Sequence, residues 1–238
     1  MPRVFSMVAR FHALVPAAGQ GARSGLSMPK QYAALCGVPV LVHSVRALLA
    51  DARIASVQVV LAPDDQTFSS IDWQSFGGRV HGLWCGGASR SASVLNGLAA
   101  ARGIEPRDWV LVHDAARPCL PSADLARLID EGSVDPVGAI LAAPVSDTLK
   151  RASAEGRIAQ TVDRTGLWSA LTPQMFRHGA LQDALRLAAH DGVEPTDEAA
   201  AMERNGQQAR LVAGSRRNFK ITYAEDFDLA AQFLEGRA

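Results

Sequence analysis

The chain has 238 residues, 48% of them apolar and 20% charged, enough to bury a sizeable core and typical of a soluble globular protein. Its formal net charge is zero, which leaves no basic footprint for a nucleic-acid partner while still allowing local phosphate sites. Cys36, Cys85 and Cys119 are widely spaced, form no CxxC pair and suit a reducing cytoplasm. Arg3 and Arg10 interrupt the apolar residues at the N-terminus, so neither a signal peptide nor a membrane partner is expected. Met1 to Arg10 read as a loose extension with Met7 as an alternative start.

Ala13 to Ala18 is a short apolar run ending in small residues, which reads as a buried strand of a parallel sheet. Gly19, Gly21 and then Arg23 and Lys30 follow, a loop with little bulk and two cations. Backbone N–H groups in such a loop approach an anion closely, at the carboxyl end of a first strand where open α/β sheets bind ligands. No Gly-Lys-Ser/Thr tripeptide occurs, and Ser24 stands where a dinucleotide loop needs its third glycine. Two readings remain for the stretch: a nucleotide phosphate loop, or a glycine-rich turn with surface cations.

Leu41, Val45, Leu48 and Leu49 recur at helical spacing, and Ser56 to Leu61 is a β-branched strand. Val80 to Trp84 reads as a strand leading to Cys85-Gly-Gly-Ala-Ser-Arg90, where Ser89 caps a helix whose first turns carry Arg90 and Ser93. Trp109 to Val112 is the next strand, followed at once by His113-Asp-Ala-Ala-Arg-Pro118. Asp114 at that strand tip is placed to hold a divalent metal, and Arg117 to pair with phosphate. A local Asp114–Arg117 ion pair is the less favoured reading, and His113 reads as a hydrogen-bonded core histidine.

Ser122 is expected to cap a helix with Leu125, Leu128 and Ile129, and Gly138 to Ala143 is another buried strand. Val145 to Ala152 and Arg157 to Arg164 then form two β-like runs around Ser-Ala-Glu-Gly156, a hairpin signal. A lone hairpin is marginal in water, so this arm is expected to leave the sheet and be covered by a second subunit. Trp168 to Phe176 returns to the core, and Leu181, Leu185 and Ala188 mark a helix. Thr196 reads as the cap of a further helix stopped by Asn205-Gly206, Ala209 to Ala213 and Phe219 to Thr222 as short strands, and Phe227 to Leu234 as a last helix. Lys220 sits among apolar neighbours and is expected to point at an anion.

The collected cations with one strand-tip carboxylate, and no Ser-His-Asp, Cys–His or HExxH pattern, suit phosphoryl or nucleotidyl transfer. If the attacking group is itself a phosphate, its second pKa near ~6 leaves it ionised and no strong base is needed.

Pro16-Ala-Ala-Gly-Gln-Gly, Met28-Pro-Lys-Gln-Tyr32, Val112-His-Asp-Ala-Ala-Arg-Pro118, Ala143-Pro-Val-Ser-Asp-Thr148, Thr161-Val-Asp-Arg164, Leu171-Thr-Pro-Gln174 and Thr196-Asp-Glu-Ala199 resemble the 2-C-methyl-D-erythritol 4-phosphate cytidylyltransferases, in order and over nearly the whole chain. The resemblance implies an α/β, Rossmann-like nucleotidyltransferase (nucleotide-diphospho-sugar transferase) fold with a mainly parallel sheet, helices on both faces and a protruding β-arm. It implies one domain over residues 1–238 with residues 144–166 as a dimerising arm, Mg²⁺ dependence, and a place in non-mevalonate isoprenoid synthesis. Carried over, it assigns the backbone of Ala17, Ala18, Gly19 and Gly21 to CTP, and Gly87, Arg90 and Ser93 to its cytidine. Arg23 and Lys30 would clamp the triphosphate and stabilise the five-coordinate phosphorus, and Asp114 would help hold Mg²⁺. Arg117, Thr148, Arg164, Thr196 and Lys220 would grip methylerythritol phosphate, partly from the partner's arm, with Arg164 and Lys220 aiming its phosphate. Ala22 departs from a second basic residue common in the family. Ala88 departs from a common acid, so backbone groups take over that cytidine contact. No second domain is expected after Ala238. A ribitol 5-phosphate cytidylyltransferase and a non-catalytic CTP sensor are the rival readings.

Overall fold

The computed structural model describes residues 9–19 and 28–236. The elements are β1 (Phe11–Pro16), β2 (Ala34–Leu35), β3 (Val38–Pro39), α1 (Val40–Leu49), β4 (Ile54–Val60), β5 (Val80–Leu83), α2 (Arg90–Ala100) and β6 (Trp109–Val112). They continue as α3 (Ser122–Gly132), β7 (Gly138–Pro144), β8 (Leu149–Ala152), β9 (Ile158–Val162), β10 (Trp168–Arg177), α4 (His178–His190), α5 (Glu198–Arg204), β11 (Arg210–Ala213) and α6 (Glu225–Glu235).

Seven strands form one sheet in the order β11-β7-β10-β6-β1-β4-β5. All run parallel except β10, which is antiparallel to both β6 and β7. The central strands are continuous apolar runs because both faces are covered. On β1, Ala13 and Val15 point into one core with Leu41, Val45, Leu125 and Leu128, while Leu14 points into the other with Val94, Leu98, Leu181 and Met202. The period-2 alternation of a strand thus divides α1 and α3 from α2, α4 and α5. A third apolar cluster joins Leu35, Val40, Cys119 and Ile221 to Ala230 of α6.

This is the doubly wound, mainly parallel architecture expected. Three local expectations fail. Phe219 to Thr222 is not a strand: Ile221 and Phe219 pack beneath α6, so their apolar spacing serves a loop on a helix rather than a ladder. The cap of α5 is Asp197, whose side chain accepts from the Ala200 N–H at 2.8 Å, and not Thr196. Pro121 rather than Ser122 occupies the cap position of α3, without a side-chain bond. Ser89 caps α2 as expected, accepting from the Ala92 N–H at 3.2 Å.

β8 and β9 pair only with each other, as a separate antiparallel hairpin. Its turn passes through Gly156 at φ +73, a conformation that favours glycine. Ile158 is 69% exposed. No described helix is long and apolar enough to cross a membrane.

Candidate active site

Because β1 and β6 are parallel neighbours, with Leu14 level with Val112, their carboxyl ends open side by side. The β1 tip continues into Ala17, Ala18 and Gly19, and the β6 tip into His113 and Asp114. From β5, two strands away, the chain passes through Gly86 and Gly87 into the N-terminus of α2. These segments enclose a cavity of about 410 Å³ lined by Ala17, Ala18, Gly19, Lys30, Gln31, Gly87, Ala88, Arg90, Ser93, Asp114 and Lys220, among others. The loops touch closely. A Cβ on Gly86 would stand 2.3 Å from the Ala18 Cβ and 2.8 Å from the Leu61 carbonyl oxygen, so only glycine lets the two loops meet.

The short turn Lys30–Tyr32 ties the first loop down with three consecutive side chains. Lys30 Nζ donates to the Ile221 carbonyl at 2.8 Å. Gln31 Nε2, nearly fully buried, donates to the carbonyls of Ala17 and Gly19 at 2.7 and 3.0 Å. Tyr32 donates its hydroxyl to Asp65 at 2.7 Å. The Ala17 N–H is committed to the Val60 carbonyl at 2.7 Å, so this member of the expected phosphate cradle holds the sheet together instead. Likewise the Gly87 N–H donates to Ser93 Oγ at 3.0 Å, and Ser93 in turn donates to the Ser89 carbonyl at 2.8 Å.

Asp114 is the electrostatic centre. Its carboxylate takes Arg90 Nε on Oδ1 at 3.1 Å, and Arg117 Nε and Lys220 Nζ on Oδ2 at 3.2 and 3.1 Å. Burial alone would push this carboxyl up, but Arg90, Lys220 and Arg117 outweigh it and hold the group well below the usual carboxylate range. The Asp114–Arg117 pair, the less favoured reading of the sequence, is therefore present, as one bond of a larger cluster. Lys220 meets the anion its apolar surroundings suggested, and that anion is Asp114.

His113 is fully buried and lowered to about 4 by desolvation. The Arg117 carbonyl can only accept, so His113 Nε2 carries the proton and donates to it at 3.1 Å. The unprotonated Nδ1 accepts from the Thr172 hydroxyl at 3.0 Å, and Thr172 Oγ1 accepts from the Asp114 N–H at 3.1 Å. The histidine is a structural bracket for the strand tip, as expected.

Two residues the sequence reading left out complete the arrangement. Glu198, 1% exposed at the start of α5, accepts from Arg90 through both terminal nitrogens at 2.7 and 3.2 Å. Gln174 on β10 donates to Asp197 at 2.9 Å and accepts from the Ala199 N–H at 2.8 Å, fixing the start of the same helix. Both residues stand inside motifs quoted above, Leu171-Thr-Pro-Gln174 and Thr196-Asp-Glu-Ala199. An acid one place inside a helix start and a glutamine in a strand carry no chemical signal of their own.

Arg117 lies behind Asp114, donating also to the Asn218 carbonyl at 2.8 Å, and does not line the cavity. Thr148 and Arg164 are exposed on the hairpin and Thr196 is exposed before α5; none of the three lines the cavity of its own chain. Gly21, Arg23 and the departure at Ala22 lie outside the described residues, as do Met1 to Val8 of the N-terminal extension. Among the described residues no group of three or more His, Cys, Asp or Glu side chains could hold a metal. Asp114 offers one carboxylate, with Arg90 on Oδ1 and both Arg117 and Lys220 on Oδ2.

The sequence model for 2-C-methyl-D-erythritol 4-phosphate cytidylyltransferase matches residues 11–236. The chain is 49% identical to the enzyme of that name from Thiobacillus denitrificans over 94% of this chain and 97% of the relative. It is 54% identical to that from Laribacter hongkongensis over 95% and 97%. Among solved structures, a 4-diphosphocytidyl-2C-methyl-D-erythritol synthase superposes with a TM-score of 0.83 at 38% identity, covering 96% of this chain and all of that one. The Thermus thermophilus cytidylyltransferase superposes with a TM-score of 0.78 at 30% identity, covering 95% and 99%. With the family's model matching residues 11–236 and these relatives covering 94% to 96% of it, the chain belongs to the 2-C-methyl-D-erythritol 4-phosphate cytidylyltransferase family.

Proposed function

We propose that this protein is a cytoplasmic enzyme that transfers CMP from CTP to 2-C-methyl-D-erythritol 4-phosphate, releasing pyrophosphate and forming 4-diphosphocytidyl-2-C-methyl-D-erythritol for isoprenoid synthesis. One observation carries the reading beyond family membership. Arg90 and Lys220 reach the cavity around a single carboxylate, with Lys30 beside them, and no activated nucleophile or general base stands among its described lining residues. That inventory suits a reaction in which the substrates bring the nucleophile and the leaving group, and the protein supplies position and positive charge.

An oxygen of the acceptor phosphate attacks the α-phosphorus of CTP. The new P–O bond forms as the bond to the bridging oxygen breaks, and pyrophosphate leaves with that electron pair. The acceptor is already ionised near neutral pH, its second pKa lying near ~6, so no general base is required. Lys30 and Arg23 neutralise the triphosphate, and Lys220 exchanges Asp114 for a phosphate oxygen when substrate arrives. Asp114 would be the carboxylate that helps hold Mg²⁺, and the ion would supply neutralising charge for the phosphate oxygens. Arg117, seated behind Asp114, holds that carboxylate in place, and Thr196 meets the acceptor together with Thr148 and Arg164 from the arm of a second copy in a homodimer. The exposed, self-paired hairpin supports that assembly, because an arm lacking a core of its own gains most from a partner.

The test is pyrophosphate release on mixing protein, CTP, Mg²⁺ and methylerythritol phosphate. Release that needs all four is expected; none, with CTP bound, would contradict the assignment.

A further inference from the structure

Arg90 and Glu198 lie 108 residues apart in the chain yet form a two-bond ion pair. Glu198 is 1% exposed, whereas the Arg90 side chain is 28% exposed and lines the cavity. A guanidinium has five N–H donors. Three of Arg90's are engaged, one by Asp114 and two by Glu198, which leaves two for a ligand in the cavity.

We infer that Glu198 is a positioning residue for nucleotide binding: it fixes the plane of the Arg90 guanidinium so that the remaining donors meet CTP without an ordering cost at the moment of binding. The inference deepens the cytidylyltransferase reading and rests on it. An arginine held only at Nε by Asp114 would swing about its terminal bonds, and ordering such a side chain on binding weakens affinity. Glu198 is itself held. It opens α5, whose start is fixed by Gln174 from β10, so the sheet transmits its rigidity to a side chain on α2. Glu198 further divides the charge. Three cations, Arg90, Arg117 and Lys220, face Asp114; by taking both terminal nitrogens of Arg90, Glu198 keeps that guanidinium from closing fully onto Asp114.

The experiment measures the CTP dissociation constant by calorimetry, together with KM for CTP and kcat, in the full chain and in Glu198→Gln, Arg90→Met and the double variant. Glu198→Gln is expected to raise both Kd and KM about tenfold with kcat nearly unchanged, the signature of lost uniform binding. The double variant is expected to bind no more weakly than Arg90→Met, since the two residues act as one unit. Glu203→Gln, exposed on the same helix, should alter nothing. If Glu198→Gln does not give a cooperative melting transition, Glu198→Asp decides. It keeps the charge but is one methylene too short for both bonds, so a severalfold rise in KM supports the role and an unchanged KM overturns it. Additive losses in the double variant, or a folded Glu198→Gln with unaltered CTP affinity, would overturn the positioning role alone. Failure of the unaltered chain to bind CTP would overturn the parent reading and this one together.

Discussion

Two lysines in this site are held by the protein's own acceptors, and the strength of those ties separates catalysis from stability. Among its contacts, Lys30 donates to a backbone carbonyl, a bond of the kind that contributes about 1 kcal/mol. Lys30→Ala is therefore expected to lower the melting temperature only slightly while reducing kcat by about 10²–10³, the usual loss for one transition-state donor; steady-state kinetics beside calorimetry check both. His113 makes the pH response testable at the same scale. Unfolded, it titrates near 6.5; folded, near 4, so the unfolded chain binds more protons between these values. Stability from this group is complete above pH 6.5 and is lost as the pH falls towards 4, on the order of 3 kcal/mol in all. His12 and His43, also lowered by burial, act with the same sign. Melting midpoints should fall from pH 7 to pH 4, less steeply in His113→Asn; an identical slope in that variant would exclude His113 as a contributor. At this scale residue type sufficed to single out Asp114, Lys30 and Lys220, which do line one cavity. It did not suffice where function depends on a partner distant in the chain: nothing beside Arg90 announces Glu198, and nothing beside Ala17 announces that its N–H is used by Val60.

Among the elements, the β8–β9 hairpin shares no strand pairing with the large sheet. Its connection comes through β7 and β10, which continue as a pair from Trp168 opposite Pro144 into the core. A chain lacking residues 146–163 should fold and sediment as a monomer, while the full chain sediments as a dimer; a dimer in both would reject the arm as the interface. The arm could be read from its turn residues and β-branched runs because hairpins are local. Caps were harder. Thr196 and Asp197 are both good capping types, and only the backbone register, set by Gln174 across 25 residues, decides between them. The stretch around Ile221 misled for a similar reason, since alternation of apolar residues records burial and not the partner that buries them. α6 supplies that partner.

In the whole molecule, the order β6-β1-β4-β5 brings three loops from distant parts of the chain to one edge, while antiparallel β10 delivers Thr172 and Gln174 beneath them. Parallel order of this kind follows from crossover connections, and the cavity lies at the carboxyl ends of the strands, where open α/β sheets bind ligands. The sizes of the gaps it bridges, such as Lys30 to Ile221, lay beyond local pattern. A cationic edge that serves one acceptor must discriminate between polyol phosphates. The most direct measurement is pyrophosphate release from CTP and Mg²⁺ with methylerythritol phosphate and ribitol 5-phosphate offered separately. Release with methylerythritol phosphate and little with ribitol 5-phosphate is the predicted result. Release with ribitol 5-phosphate alone, or with neither while CTP still binds, would contradict it.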